Sequence, residues 1–145
     1  MNFEIKPHIG IGSVEINMTR PEVKKMLGKE NFSGSNEDLD YYFDNSLQIE
    51  FVNDKADFIG ISYHPSYNVM YKNINVFDTE AKELFNFIAS NEEENHQFDA
   101  SEYLFPKQVV TLWDADEQYD RIGSETRLIW AQIGVGSLNY LEAVS

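Results

Sequence analysis

Apolar and polar residues follow a two-residue period over several short stretches of the chain and a helical period over two others. Residues 18–28 carry the clearest helical signal. Thr19 can N-cap a helix with Glu22 as its reciprocal capping-box partner, and Pro21 falls in the first turn, where its missing N–H costs nothing. Met18 and Val23 occupy hydrophobic-staple positions. Val23, Met26 and Leu27 form one apolar face, and Gly28 supplies a stop. Strand-like runs follow: Leu39–Phe43, then Leu47–Val52 with Leu47, Ile49 and Phe51 on one face and Gln48 and Glu50 on the other, then Phe58–Tyr63. The turns Asp44-Asn45-Ser46 and Asn53-Asp54-Lys55 are too short for a parallel crossover, so these strands form antiparallel hairpins.

A fourth strand is expected between Val69 and Phe77. Asp78 or Thr79 is then expected to cap a second helix whose buried stripe is Ala81, Leu84, Phe85 and Ile88. The block Glu92-Glu93-Glu94-Asn95 reads as a solvated loop. Strands are expected at Glu102–Phe105, Gln108–Trp113 and Arg127–Ile133, and the pattern after Gly134 fits either an edge strand or a short helix. Each half thus carries a helix followed by three strands. The expected fold is α+β, an antiparallel sheet with helices packed on one face, in a single domain of residues 1–145 with possible tandem halves 1–72 and 73–145.

The run Ile16-Asn17-Met18-Thr19-Arg20-Pro21-Glu22-Val23, closing with Met26-Leu27-Gly28, resembles a bacterial signature that reads Gly-Met-Thr-x-x-Glu-Val and then Leu-Gly. That signature opens the helix–sheet module shared by outer-membrane assembly lipoproteins and the beta-lactamase inhibitor protein, which is a tandem of two such modules. The resemblance covers about residues 10–63, and the second half matches in outline. Asn17 stands where glycine is usual, and neither the inhibitor's cysteines nor a lipid-anchor cysteine is present. These departures imply a cytoplasmic relative that looks like a bacterial immunity protein, one that neutralises a toxin.

Composition narrows the classes further. The chain has 145 residues, 42% hydrophobic and 14% aromatic, which is too aromatic for an acidic disordered tail. With no cysteine, disulfides, thiolate nucleophiles and thiolate metal sites are excluded. No apolar run reaches the roughly 20 residues of a membrane-spanning helix, and the N-terminus lacks signal-peptide character, so a cytoplasmic location is expected. The formal net charge of −14 repels phosphate backbones and anionic membranes, so neither nucleic acid nor membrane is an expected partner. It favours a basic protein instead. Residues 1–72 carry a net −4 and residues 73–145 a net −10, which places an acidic recognition surface mainly in the second half.

No nucleophile elbow, P-loop or dinucleotide-binding glycine motif is present, and an enzyme is not expected. The histidines His8, His64 and His96 are widely separated and read as polar surface. Asp114, Asp116, Asp120 and Glu125 fall at positions 1, 3, 7 and 12 of a calcium loop, but Tyr119 occupies the position that needs glycine, so this segment reads as an acidic hairpin loop. His96, Asp99 and Glu102 could meet at a metal only on a helix, which Tyr103-Leu104-Phe105-Pro106 opposes. No cofactor and no metal are expected.

Strand alternation leaves a surface. If Leu47, Ile49 and Phe51 face inward, Gln48 and Glu50 face the open side of the sheet. The same alternation turns Thr111 and Trp113 outward, and Leu128 and Trp130 with them. Tyr42, Trp113 and Trp130 beside Glu50, Asp114, Asp116 and Asp120 would form an aromatic centre with an acidic rim, the anatomy of a protein-binding surface. The leading expectation is therefore a non-enzymatic immunity protein that binds a basic toxin domain, such as a nuclease. The alternatives are a small-molecule module or minor enzyme, with a pocket between sheet and helices lined by Tyr41, Tyr63 and Phe85, and a domain whose exposed aromatics meet a second copy.

Overall fold

The computed structural model describes residues 1–119 and 126–144. The chain opens with three short strands, β1 (Asn2–Lys6), β2 (Gly10–Ile11) and β3 (Val14–Glu15), and enters helix α1 (Arg20–Leu27). Four strands follow: β4 (Phe32–Asn36), β5 (Leu39–Tyr42), β6 (Leu47–Val52) and β7 (Lys55–Ile61). The hairpin of β8 (Asn68–Tyr71) and β9 (Ile74–Asn75) leads through a short 3-10 turn to helix α2 (Ala81–Ala89). Strands β10 (Glu102–Phe105), β11 (Val110–Tyr119) and β12 (Thr126–Gly136) and helix α3 (Leu138–Val144) complete the described chain. It is a mixed fold of two largely antiparallel sheets in which strands predominate. No described helix is long and apolar enough to cross a membrane.

Helix α1 forms as its capping residues dictate. The Glu22 N–H donates to Thr19 Oγ1 at 3.4 Å, and the Thr19 N–H donates to Glu22 Oε1 at 3.1 Å. Thr19→Ala removes the side-chain half of this box and should lower stability by about 1 kcal/mol, read as an earlier midpoint in urea unfolding. Asn17 adopts φ +76°, and its N–H donates to Ala56 O at 2.8 Å. A left-handed residue is therefore required here, and asparagine, which tolerates that region, fills the place where glycine is usual.

The large sheet has the order β10-β11-β12-β7-β6-β5-β4, all neighbours antiparallel. Its pairing aligns two apolar rows across the strands. One is Leu47, Ile61, Ile133 and Leu112, and the other is Ile49, Ile59, Val135, Val110 and Phe105; all nine are buried. Leu84, Phe85 and Ile88 of α2 and Val23 of α1 join the same core. So do Phe3, Ile5, Val69 and Tyr71 from the second sheet, ordered β3-β2-β1-β8-β9, where β1 runs parallel to β8. Asp40 lies in the second apolar row, opposite Ile49. It is buried, accepting from Ser35 Oγ at 2.7 Å with Arg20 Nη1 at 3.6 Å.

Several expectations are corrected. The fourth strand divides into the β8–β9 hairpin and belongs to the second sheet. Glu80, whose carboxylate accepts from the Lys82 and Glu83 N–H groups, caps α2 in place of Asp78 or Thr79. The strands expected at Gln108–Trp113 and Arg127–Ile133 are longer, so Asp114 and Asp116 lie on β11 and not in a hairpin loop. The tail after Gly134 finishes β12 and turns into α3. The block at 92–95 is not uniformly solvated, because the Glu92 side chain is fully buried while Glu93 and Glu94 are exposed.

Candidate functional site

Between the two buried rows runs a third: Gln48, Gly60, Gly134, Thr111 and Leu104, on consecutive strands β6, β7, β12, β11 and β10. Because side chains alternate along each strand, this row faces the side of the sheet away from the core. Its two adjoining glycines make the floor low. A Cβ on Gly134 would stand 2.4 Å from the Phe58 ring, and one on Gly60 would stand 2.8 Å from the Gln132 amide. Phe58 and Gln132 can lie flat over the sheet only because those positions carry no side chain.

The result is a groove of about 770 Å³ over the open face. Trp113 and Glu102, directly paired across β11 and β10, form one wall, with Gln132 paired to Trp113 on the other side. Tyr140 of α3 closes the far end, stacked on Phe58 at 4.6 Å between ring centroids. Helix α3 thus sits on the open face, which departs from the expectation that helices share one face. Its start is fixed by Ser137, whose N–H donates to Asp57 O at 2.9 Å and whose hydroxyl accepts from the Tyr140 N–H at 2.9 Å. Burial pushes the Tyr140 phenol above its ordinary pKa, and the carboxylates of Glu50, Glu102 and Asp57 push it the same way. The phenol therefore stays protonated at neutral pH inside a negative field.

The expected site residues divide. Trp113 is 53% exposed, the largest aromatic surface at the groove, and Glu50 is half-buried at its rim beside Phe58. Asp114 and Asp116 are exposed on β11, next to Trp113 in the chain. Asp120 lies outside the described residues.

Tyr42 and Trp130 do not belong to the surface. Tyr42 is fully buried, and burial with the nearby Asp40 charge raises its pKa to about 12. It pairs with Leu47, and directly opposed residues share a face, so Tyr42 follows Leu47 inward and Tyr41, opposite Gln48, faces out. Trp130 is also fully buried; its indole N–H donates to Ala81 O at 2.9 Å and its ring meets Phe98. Simple alternation places Trp130 outward beside Gln132. That alternation is interrupted where Asp114 adopts φ +55° between the pairs Trp113–Gln132 and Ala115–Trp130, and beyond it Ile129 and Trp130 are both buried.

The alternative pocket of Tyr41, Tyr63 and Phe85 is not assembled. Phe85 is fully buried among Phe98, Tyr103 and Phe105, and the groove, which lies between the sheet and α3, is lined by none of the three. His96, Asp99 and Glu102 do not converge either. His96 Nδ1 bonds the Tyr103 hydroxyl, and Asp99 accepts from the Ser101 N–H. The groove residues that the sequence pattern did not assign to the binding surface include Phe58, Gln132, Tyr140 and Glu102, the last considered only as a metal ligand. The signal available for them was the pair Gly60 and Gly134, each set in an apolar strand, where glycine marks a close approach. Comparison with family models, curated proteins and solved structures finds no match to this chain.

Proposed function

We propose that this chain is a non-catalytic binding protein that takes a basic protein partner on the open-face groove. We further propose that it acts as a cytoplasmic immunity protein neutralising a basic toxin domain, with the cationic substrate cleft of a nuclease as the surface it would cover. The observation that carries this reading is Trp113, exposed in the groove wall beside Glu102 and Asp114, with Glu50 paired to Phe58 and near Tyr140 at the groove's other end. A large aromatic side chain left in water in the wall of a concave surface, beside carboxylates, gains by being covered. The net charge of −14 supports steered encounter with a cationic surface. The order of elements supports the two-module idea in outline, since α1 precedes β4–β7, one strand more than expected, α2 precedes β10–β12, and the two sets meet edge to edge at β7 and β12.

The test is capture of a partner by the immobilised chain, followed by kinetics with the purified partner. Trp113→Ala should raise the off-rate by about 30-fold, the size of a central aromatic contact. Neutralising Glu50, Asp114 and Asp116 together should slow association at low salt and have little effect at high salt. If the triply neutralised chain associates as fast as the unaltered one at low salt, electrostatic steering is wrong; if Trp113→Ala leaves the off-rate unchanged, the groove is not the interface.

A further inference from the structure

We infer that the wall formed by Glu102, Trp113 and Gln132 is a seat for an arginine side chain, stacked on the Trp113 indole with its guanidinium donating to the Glu102 carboxylate. This rests on the binding-protein reading and names the chemistry that the same groove recognises. Glu102 and Trp113 are directly opposed on β10 and β11, and Trp113 and Gln132 are directly opposed on β11 and β12. Opposed side chains start about 5 Å apart. A cation lying on the indole is therefore within reach of the Glu102 carboxylate, while the Gln132 amide lies over Gly60 on the other side of β12 and leaves the indole face open. Glu102 is exposed, so it can turn to the ligand without uncovering a buried charge.

Two features favour arginine over lysine. The guanidinium is planar, weakly hydrated and able to stack on an aromatic face while presenting a fork of donors to a carboxylate, whereas the lysine ammonium is compact and strongly hydrated. The floor beside Trp113 is made by the Phe58 ring and the Gln132 amide lying over Gly134 and Gly60, planar groups that suit a stacked guanidinium better than a point charge. Glu50, Glu102 and Asp57 all act on the Tyr140 phenol, so the negative potential that would hold a cation extends from Glu102 along the groove.

Hexa-arginine and hexalysine serve as probes, followed by the two tryptophan indole N–H resonances of the full chain. The expected result is that hexa-arginine moves the Trp113 resonance and leaves that of buried Trp130 in place, with a Kd about two- to five-fold below that of hexalysine, the scale of an exposed cation–π contact. Glu102→Gln should raise the hexa-arginine Kd up to about five-fold, and Glu50→Gln, at the rim, should raise it less. Equal Kd values for the two peptides, or no effect of Glu102→Gln, would reduce the interaction to general attraction by a −14 chain and overturn the seat. The binding-protein reading fails separately. If Trp113→Ala releases a captured basic protein while hexa-arginine moves no indole resonance, the seat is wrong and the reading stands; if hexa-arginine binds as expected and Trp113→Ala leaves the partner's off-rate unchanged, the reading is wrong and the seat stands.

Discussion

Trp130→Ala is expected to cost about 3–5 kcal/mol of folding stability, the range for removing a fully buried large aromatic side chain. Trp130 has no solvent exposure, its indole N–H donates to Ala81 O at 2.9 Å, and its ring meets Phe98 edge-on with centroids 5.8 Å apart. It thus ties β12 to the first residue of α2, and its loss leaves a cavity and removes that hydrogen bond together. Against a typical total of about 5–15 kcal/mol, such a variant stands close to unfolding. Trp130→Phe keeps most of the volume but loses the hydrogen bond, so it should cost clearly less. Trp113→Ala removes a side chain that is 53% exposed and should stay within about 1 kcal/mol of the unaltered chain. Urea unfolding followed by far-UV circular dichroism measures all three. Trp130→Ala as stable as Trp113→Ala would show that the two tryptophans have been assigned to the wrong environments.

That contrast also shows how far the sequence could be read. Both tryptophans sit in strand-like runs, and alternation places both outward. It succeeds for Trp113 because β11 is regular from Val110 to Trp113, with Val110 and Leu112 buried. It fails for Trp130 because a left-handed Asp114 on the partner strand breaks the pleat, and no local pattern around Trp130 reports a conformation on another strand. Tyr42 is a different kind of error. The inward face of β6 was legible from Leu47, Ile49 and Phe51, and a short hairpin fixes the register that puts Tyr42 opposite Leu47. Capping chemistry was legible at α1, where Thr19, Pro21 and Glu22 act within one turn of chain. The groove was not, because its floor and walls come from five strands and α3, brought together only by the pairing of β7 with β12.

Glu92→Ala should lower stability by about 3 kcal/mol, although an acidic run in a loop normally tolerates such a change. The Glu92 side chain is fully buried. Its Oε1 accepts from the Lys107 N–H at 3.1 Å, and its Oε2 accepts from the Gln108 N–H at 3.0 Å and from Gln108 Nε2 at 2.9 Å. Gln108 in turn donates to Ile88 O near the end of α2 and accepts from the Tyr71 hydroxyl, so one carboxylate holds the exit of α2, the turn between β10 and β11, and β8 together. Hydrogen bonds to a charged acceptor are worth more than neutral ones, and removing the acceptor leaves several donors without it at once. Glu93, by contrast, meets Lys107 only in an exposed pair at 3.4 Å, and Glu93→Ala should change stability by no more than about 0.5 kcal/mol. Unfolding midpoints of the two variants decide the matter: equal small losses would mean that the Glu92 contacts carry no net stability. Strands β10 and β11 leave that turn bearing Glu102 and Trp113, so a loosened turn blurs the spacing of carboxylate and indole. Glu92→Ala should therefore also weaken hexa-arginine binding without touching a groove residue.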